Sequence, residues 1–164
     1  MISVRKLAVL AAFVLPTGAL ASSGVLIKQT QDALLRQVSC VSRPQPARAI
    51  NAMLKNGLVR YVANDGGIYL FAPTVPLKLL GLPVRHISGF DRDRPFQKTP
   101  HAKTAEPPMF LPQFIEVDVA APASELKKRA LAAGLSEASP TGGKPGFEVK
   151  ALGSNISSIE CDGE

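Results

Sequence analysis

Apolar residues recur at helical spacing over residues 27–38, where Ile27, Leu34, Leu35 and Val38 share one stripe. Lys28, Gln31, Asp32 and Arg36 fall off that stripe, so the pattern predicts an amphipathic helix. Pro44 and Pro46 then break the chain, and Pro46 suits the first position of a second helix. Ile50, Met53 and Leu54 supply its buried side, and Gly57 stops it. The period next changes to that of a strand. Leu58-Val59-Arg60-Tyr61-Val62 and Ile68-Tyr69-Leu70-Phe71 flank Asn64-Asp65-Gly66-Gly67, the signature of a tight hairpin whose turn needs positive φ.

Leu77, Leu79, Leu80 and Leu82 form a short apolar cluster around Gly81, read as a helical turn or a packed loop. Residues 84–88 read as a strand. Residues 89–112 carry little regular pattern and hold five prolines between positions 95 and 112, so a long Pro-rich loop is expected there. Alternation returns at residues 114–119, with Phe114, Glu116 and Asp118 on one face and Ile115, Val117 and Val119 on the other. Pro122 opens a third helix through about Ala133, with Leu126, Ala130 and Ala133 on one side, Glu125 and Arg129 paired, and Gly134 as its stop. A turn-rich stretch over residues 139–146 leads to two last strands, at residues 147–151 and 156–161. The order predicts an α+β fold: a small antiparallel sheet with two to three helices packed on one face.

Residues 1–21 carry an address. Arg5 and Lys6 precede an apolar run over residues 7–15, Pro16 and Gly18 end it, and Ala19-Leu20-Ala21 places small residues where a signal peptidase reads. Cleavage before Ser22 is expected, leaving a single domain over residues 22–164 with its long loop at about 89–112. The apolar run is short for a span of ~20 residues, and no later stretch is apolar enough to cross a bilayer. The expected location is periplasmic or secreted. The only two cysteines, Cys40 and Cys161, then meet oxidising conditions, and one disulfide between them is expected.

Without the leader the chain holds 17 basic and 13 acidic residues, an excess too small to argue for nucleic acid. The distribution is lopsided. Residues 22–103 hold 12 Lys or Arg against four Asp, and residues 104–164 hold five against nine. The two halves are expected to attract each other within the fold, with a basic patch for an anionic envelope component as the functional version. A helix followed by a hairpin has the outline of a winged-helix DNA reader, with Arg43, Arg48, Lys55 and Arg60 on phosphates. The export signal and the missing three-helix core argue against it.

Catalytic patterns are sparse. Two histidines, His86 and His101, are too few for a histidine-rich metal site, and no metal or cofactor is expected. A hydrolase would take His86 as general base, Ser88 as nucleophile and Asp91, with Asp93, as orienter. On one strand face, however, His86 and Ser88 stand ~6.5 Å apart. Glu116 and Asp118 could divide acid and base work, but two acids on one strand face read first as its solvated side. No P-loop, dinucleotide fingerprint or nucleophile elbow is present. Asn155-Ile156-Ser157 is a glycosylation sequon with meaning only in a eukaryotic secretory route.

These readings favour an exported, non-catalytic binding or accessory protein, inhibitor-like in style, acting through protein–protein contacts. Its partner would be a protein of the cell envelope or an anionic envelope component. The contact surface is placed on the hairpin and the 89–112 loop, with Arg85, Arg92, Arg94, Lys98 and Lys103 as binding residues. Proline in that loop lowers the ordering cost of binding. The alternatives are the envelope hydrolase centred on His86 and Asp91, and a structural subunit of a membrane-associated assembly. The latter would expose an apolar patch built from Leu77, Leu79 and Leu80.

Overall fold

A computed structural model describes residues 18–92, 96–97, 112–139 and 145–162. Chain order is α1 (Gly18–Val38), α2 (Pro46–Lys55), β1 (Val59–Asp65), β2 (Ile68–Pro73), β3 (Lys78–Leu79), β4 (Leu82–Phe90), β5 (Phe114–Val119), α3 (Ala123–Ala132), β6 (Gly146–Gly153) and β7 (Ile156–Asp162). The strands form one antiparallel sheet in the order β1-β2-β4-β5-β7-β6, with β3 on β4. The α+β class, the helices on one face and the disulfide expected from the sequence are all present.

Alternation on the strands builds the core. Ile115, Val117 and Val119 of β5 are buried, and by register Ile87 and Ile159 flank Val117 while Phe71 sits beside Ile87. Leu34 and Val38 of α1, Ile50 and Met53 of α2 and Leu126 and Ala130 of α3 close over that face as one cluster. Each such side chain contributes about 1.5–3 kcal/mol relative to exposure. At Gly89 a Cβ would lie 2.8 Å from Ile50 Cδ1, so the absent side chain is what lets α2 settle onto β4.

Three local expectations change. The Leu77–Leu82 cluster is neither a helical turn nor a loop but the β3–β4 hairpin, closed by Leu80 and Gly81, both at positive φ (54° and 78°). A two-residue turn of that kind matches strand twist, which outweighs the cost of a left-handed leucine. Leu77 and Leu79 are 2% and 1% exposed and Leu80 packs against the core, so the apolar patch expected of these leucines on the surface does not exist. Burial of the hairpin under α1 accounts for this, since α1 contacts β3. The third helix runs Ala123–Ala132 and stops at Gly134 (φ 80°) as expected, with Leu126 and Ala130 buried and Ala133 exposed. The long-loop expectation is cut at its start: β4 runs on through Phe90, and Phe96 is buried against the rings of Tyr69 and Phe71.

Cys40 and Cys161 are bonded, with Cα atoms 5.2 Å apart, and so tie the end of α1 to β7. The helix α1 begins at Gly18, so the expected cleavage point, Ala21–Ser22, falls inside it in the uncut chain. Residues 1–17 of the expected leader lie outside the described residues.

Candidate functional site

The helices α1 and α2 enclose a cleft of about 520 Å³. The connection over residues 39–45 reverses the chain, and the backbone N–H of Gln45 donates to Gln37 Oε1 at 2.6 Å, setting the start of α2 beside the end of α1. Such a short connection makes the helices antiparallel neighbours. Leu26, Thr30, Ala33 and Leu34 line the cleft from α1, and Ala49, Ala52 and Met53 line it from α2. Alanines at facing positions do not fill the space between two helix axes, which is why a cleft remains there and not a packed seam.

The cleft is electrostatically one-sided. Arg36, Arg43 and Arg48 line it, and among the described residues no Asp or Glu does. Arg48 Nη1 donates to Gln45 Oε1 at 3.3 Å. None of the three arginines pairs with a carboxylate among the described residues. A concave surface with unneutralised charge of one sign concentrates counter-ions, and each guanidinium offers a planar fork that fits a carboxylate or phosphate.

The opposite face of the sheet is open and polar. By register, His86, Asp118, Ser158 and Lys150 form one row across β4, β5, β7 and β6, and Ser88, Glu116, Glu160 and Glu148 form the next. His86 Nδ1 lies 3.6 Å from Asp118 Oδ2, with the imidazole 45% exposed and the carboxylate 15%. Burial, and the neighbouring charge of Glu116, push the Asp118 carboxyl above its ordinary range, and His86 offsets part of this. Lys150 bonds to Glu160 and lies 3.9 Å from Glu148. The Glu160 bond holds the Lys150 ammonium above its ordinary range, against the opposing effect of burial. The Ser158 Oγ is buried and has no hydrogen-bond partner among the described residues.

The residues singled out from the sequence are therefore distributed rather than gathered. Asp91 does not orient His86: its Oδ2 accepts from the backbone N–H of Ala47 at 3.0 Å, and its Oδ1 accepts from Gln113 Nε2 at 3.2 Å. The free N–H groups at the start of α2, just beyond the end of β4, draw its carboxylate there. Ser88 sits opposite Glu116, in the row next to His86. Arg85 and Arg92 are exposed, on β4 and just after it. Arg94, Lys98, Lys103, Asp93 and His101 lie outside the described residues. No group of three His, Cys, Asp or Glu side chains suited to a metal occurs among the described residues.

The ion pairs among the described residues run mostly within each half: Lys127, Arg129 and Lys150 pair with Glu137, Glu125 and Glu160 in the second, Lys28 pairs with Asp32 in the first, and His86 beside Asp118 joins the two. Arg36, Arg43 and Arg48 stand on the helical side, while Glu116 and Asp118 face away from the helices. Arg43 and Arg48 had a sequence signal as phosphate contacts, but Arg36 read only as the polar side of a helix. Nothing in the spacing of the three indicates that they converge.

No protein-family model matches the chain, and neither the curated proteins nor the solved structures contain a match.

Proposed function

We propose that the chain is an exported binding or accessory module, periplasmic or secreted, that acts by contact with a partner, and that it captures an anionic part of that partner in the α1–α2 cleft. The observation that carries this reading is the convergence of Arg36, Arg43 and Arg48 on a concave surface lined by no carboxylate among the described residues. Export is supported by the Cys40–Cys161 bond, because structural disulfides persist in oxidising compartments. Every cleft residue lies beyond Ala21–Ser22, so removal of a leader over residues 1–21 leaves the lining intact. Arg85 and Arg92, exposed on β4 and just after it, are further candidate contacts for the same partner, as are Arg94, Lys98 and Lys103, which lie outside the described residues.

The test is capture of labelled polyglutamate by the oxidised protein at low salt, with polylysine as the control. Binding is expected to weaken by at least about tenfold in Arg43→Ala/Arg48→Ala, since each charge-assisted pair is among the stronger hydrogen bonds. These side chains are exposed, so folding is preserved. Equal binding by the wild type and the double variant would overturn the cleft as the capture site.

A further inference from the structure

The cleft is polarised along its length, and this restricts what fits it. Its three arginines lie at one end, where the chain reverses: Arg36 in the last turn of α1, Arg43 in the connection and Arg48 in the first turn of α2. The other end is uncharged and is lined by Leu26, Thr30, Met53 and Asn56. Amide side chains recur from end to end, with Gln29 and Asn56 at the neutral end and Gln37 and Gln45 at the cationic end.

Each of these properties excludes a class of ligand. A small dianion would use the three arginines and leave the other twelve described lining residues unused. A nucleotide or sugar ring finds no aromatic platform among the described residues, because no described Phe or Tyr lines the cleft. An acyl chain would strip water from the Gln and Asn amides and return no hydrogen bond, a cost that disfavours it. A peptide backbone meets what these amides leave open: Gln37 Oε1 accepts from the Gln45 N–H, Gln45 Oε1 from Arg48, and Asn56 Nδ2 donates to Ala52 O, so Gln29, the amide nitrogens of Gln37 and Gln45 and Asn56 Oδ1 face a ligand. Gln and Asn offer both a donor and an acceptor, as each peptide unit does.

Resting on the cleft as capture site, we infer that its ligand is an extended peptide segment of the partner, with acidic side chains at one end and small or apolar residues at the other. The length agrees. The helix α2 has 10 residues and so spans ~15 Å, which accommodates about five residues in extended form. The acidic end lies against Arg36, Arg43 and Arg48, and the remaining residues run along Ala49 and Ala52 toward Asn56.

The experiment compares four probes on the oxidised protein by calorimetry. They are an acetylated and amidated pentapeptide of three alanines followed by two glutamates, glutarate, decanoate and polyglutamate. The pentapeptide is expected to bind at least about tenfold more tightly than glutarate, and decanoate is expected not to compete with it. Gln29→Leu, at the neutral end, is expected to weaken the pentapeptide and leave glutarate unchanged. Glutarate binding as tightly as the pentapeptide would overturn the peptide assignment in favour of a small-anion site. Decanoate displacing the pentapeptide would overturn it in favour of an amphiphile. In both cases polyglutamate capture that depends on Arg43 and Arg48 would still stand. Failure of all four probes, polyglutamate included, would remove the capture site itself.

Discussion

His86 Nδ1 and Asp118 Oδ2 lie 3.6 Å apart, and theirs is the one acid–base side-chain pair among the described residues that joins residues 22–103 to residues 104–164. Asp118 is buried beside Glu116, so its ionised form is disfavoured in the fold, and its carboxyl titrates above the ordinary value. Between the ordinary and the raised value the folded chain holds the extra proton, so this group's contribution to stability falls as pH rises through that window. Asp118→Asn is therefore expected to stabilise the protein by about 1 kcal/mol or less at neutral pH. The gain should vanish below the ordinary carboxylate range, where wild-type Asp118 is protonated in both states. Urea denaturation at pH 7 and pH 3 checks both the sign and the disappearance.

Asp91 closes the start of α2 from outside the helix. Removing the carboxylate leaves the Ala47 N–H without its acceptor next to the positive end of the helix. Asp91→Ala is expected to cost about 1–2 kcal/mol, and Asp91→Asn less, because an amide oxygen still accepts. Chemical denaturation of the two variants measures the difference.

Gly146 is where the backbone of residues 136–138 crosses the start of β6. A Cβ there would lie 2.3 Å from Ala138 N and from the Glu137 carbonyl carbon, and both are backbone atoms that cannot swing aside. Phe147 N–H donates to Ser136 O and Ala138 N–H to Phe147 O across this crossing. Gly146→Ala is expected to lose about 2–3 kcal/mol, with the amides of Phe147 and Ala138 exchanging faster. Unchanged exchange at those two amides would contradict the close approach.

The disulfide closes a sequence separation of 121 residues. By chain entropy, a loop of that length is worth about 4–5 kcal/mol. The Cys40→Ser/Cys161→Ser variant is expected to lose stability of that order, and native protein should resist thiol alkylation until it is reduced and unfolded. Calorimetry and mass spectrometry after alkylation read these two outcomes.

Much of the architecture was legible before any coordinates. The hairpin at Gly66-Gly67, the strand at 114–119, the Pro46 start and Gly57 stop of α2 and the pairing of the two cysteines all rest on short-range rules. Turn chemistry, alternation and capping involve residues a few positions apart, or in the case of the cysteines an elimination that left one partner. The β3–β4 hairpin was missed because Leu80 is an unusual residue for positive φ and because Lys78–Leu79 is too short to show a period.

The chain by itself determined most of the helices and strands, which face of each is apolar and which sulfurs are joined, because those properties depend on neighbours within a turn or on composition alone; the β3–β4 hairpin and the Gly18 start of α1 are the exceptions. Strand order and helix reversal decided the rest. They placed Asp118 and not Asp91 beside His86, sent Asp91 to cap α2, set Glu116 and Asp118 on the sheet face away from the helices, and brought Arg36, Arg43 and Arg48 around one cleft. Contacts between elements depend on how the elements pack, and residue spacing along a chain carries no record of distances across it.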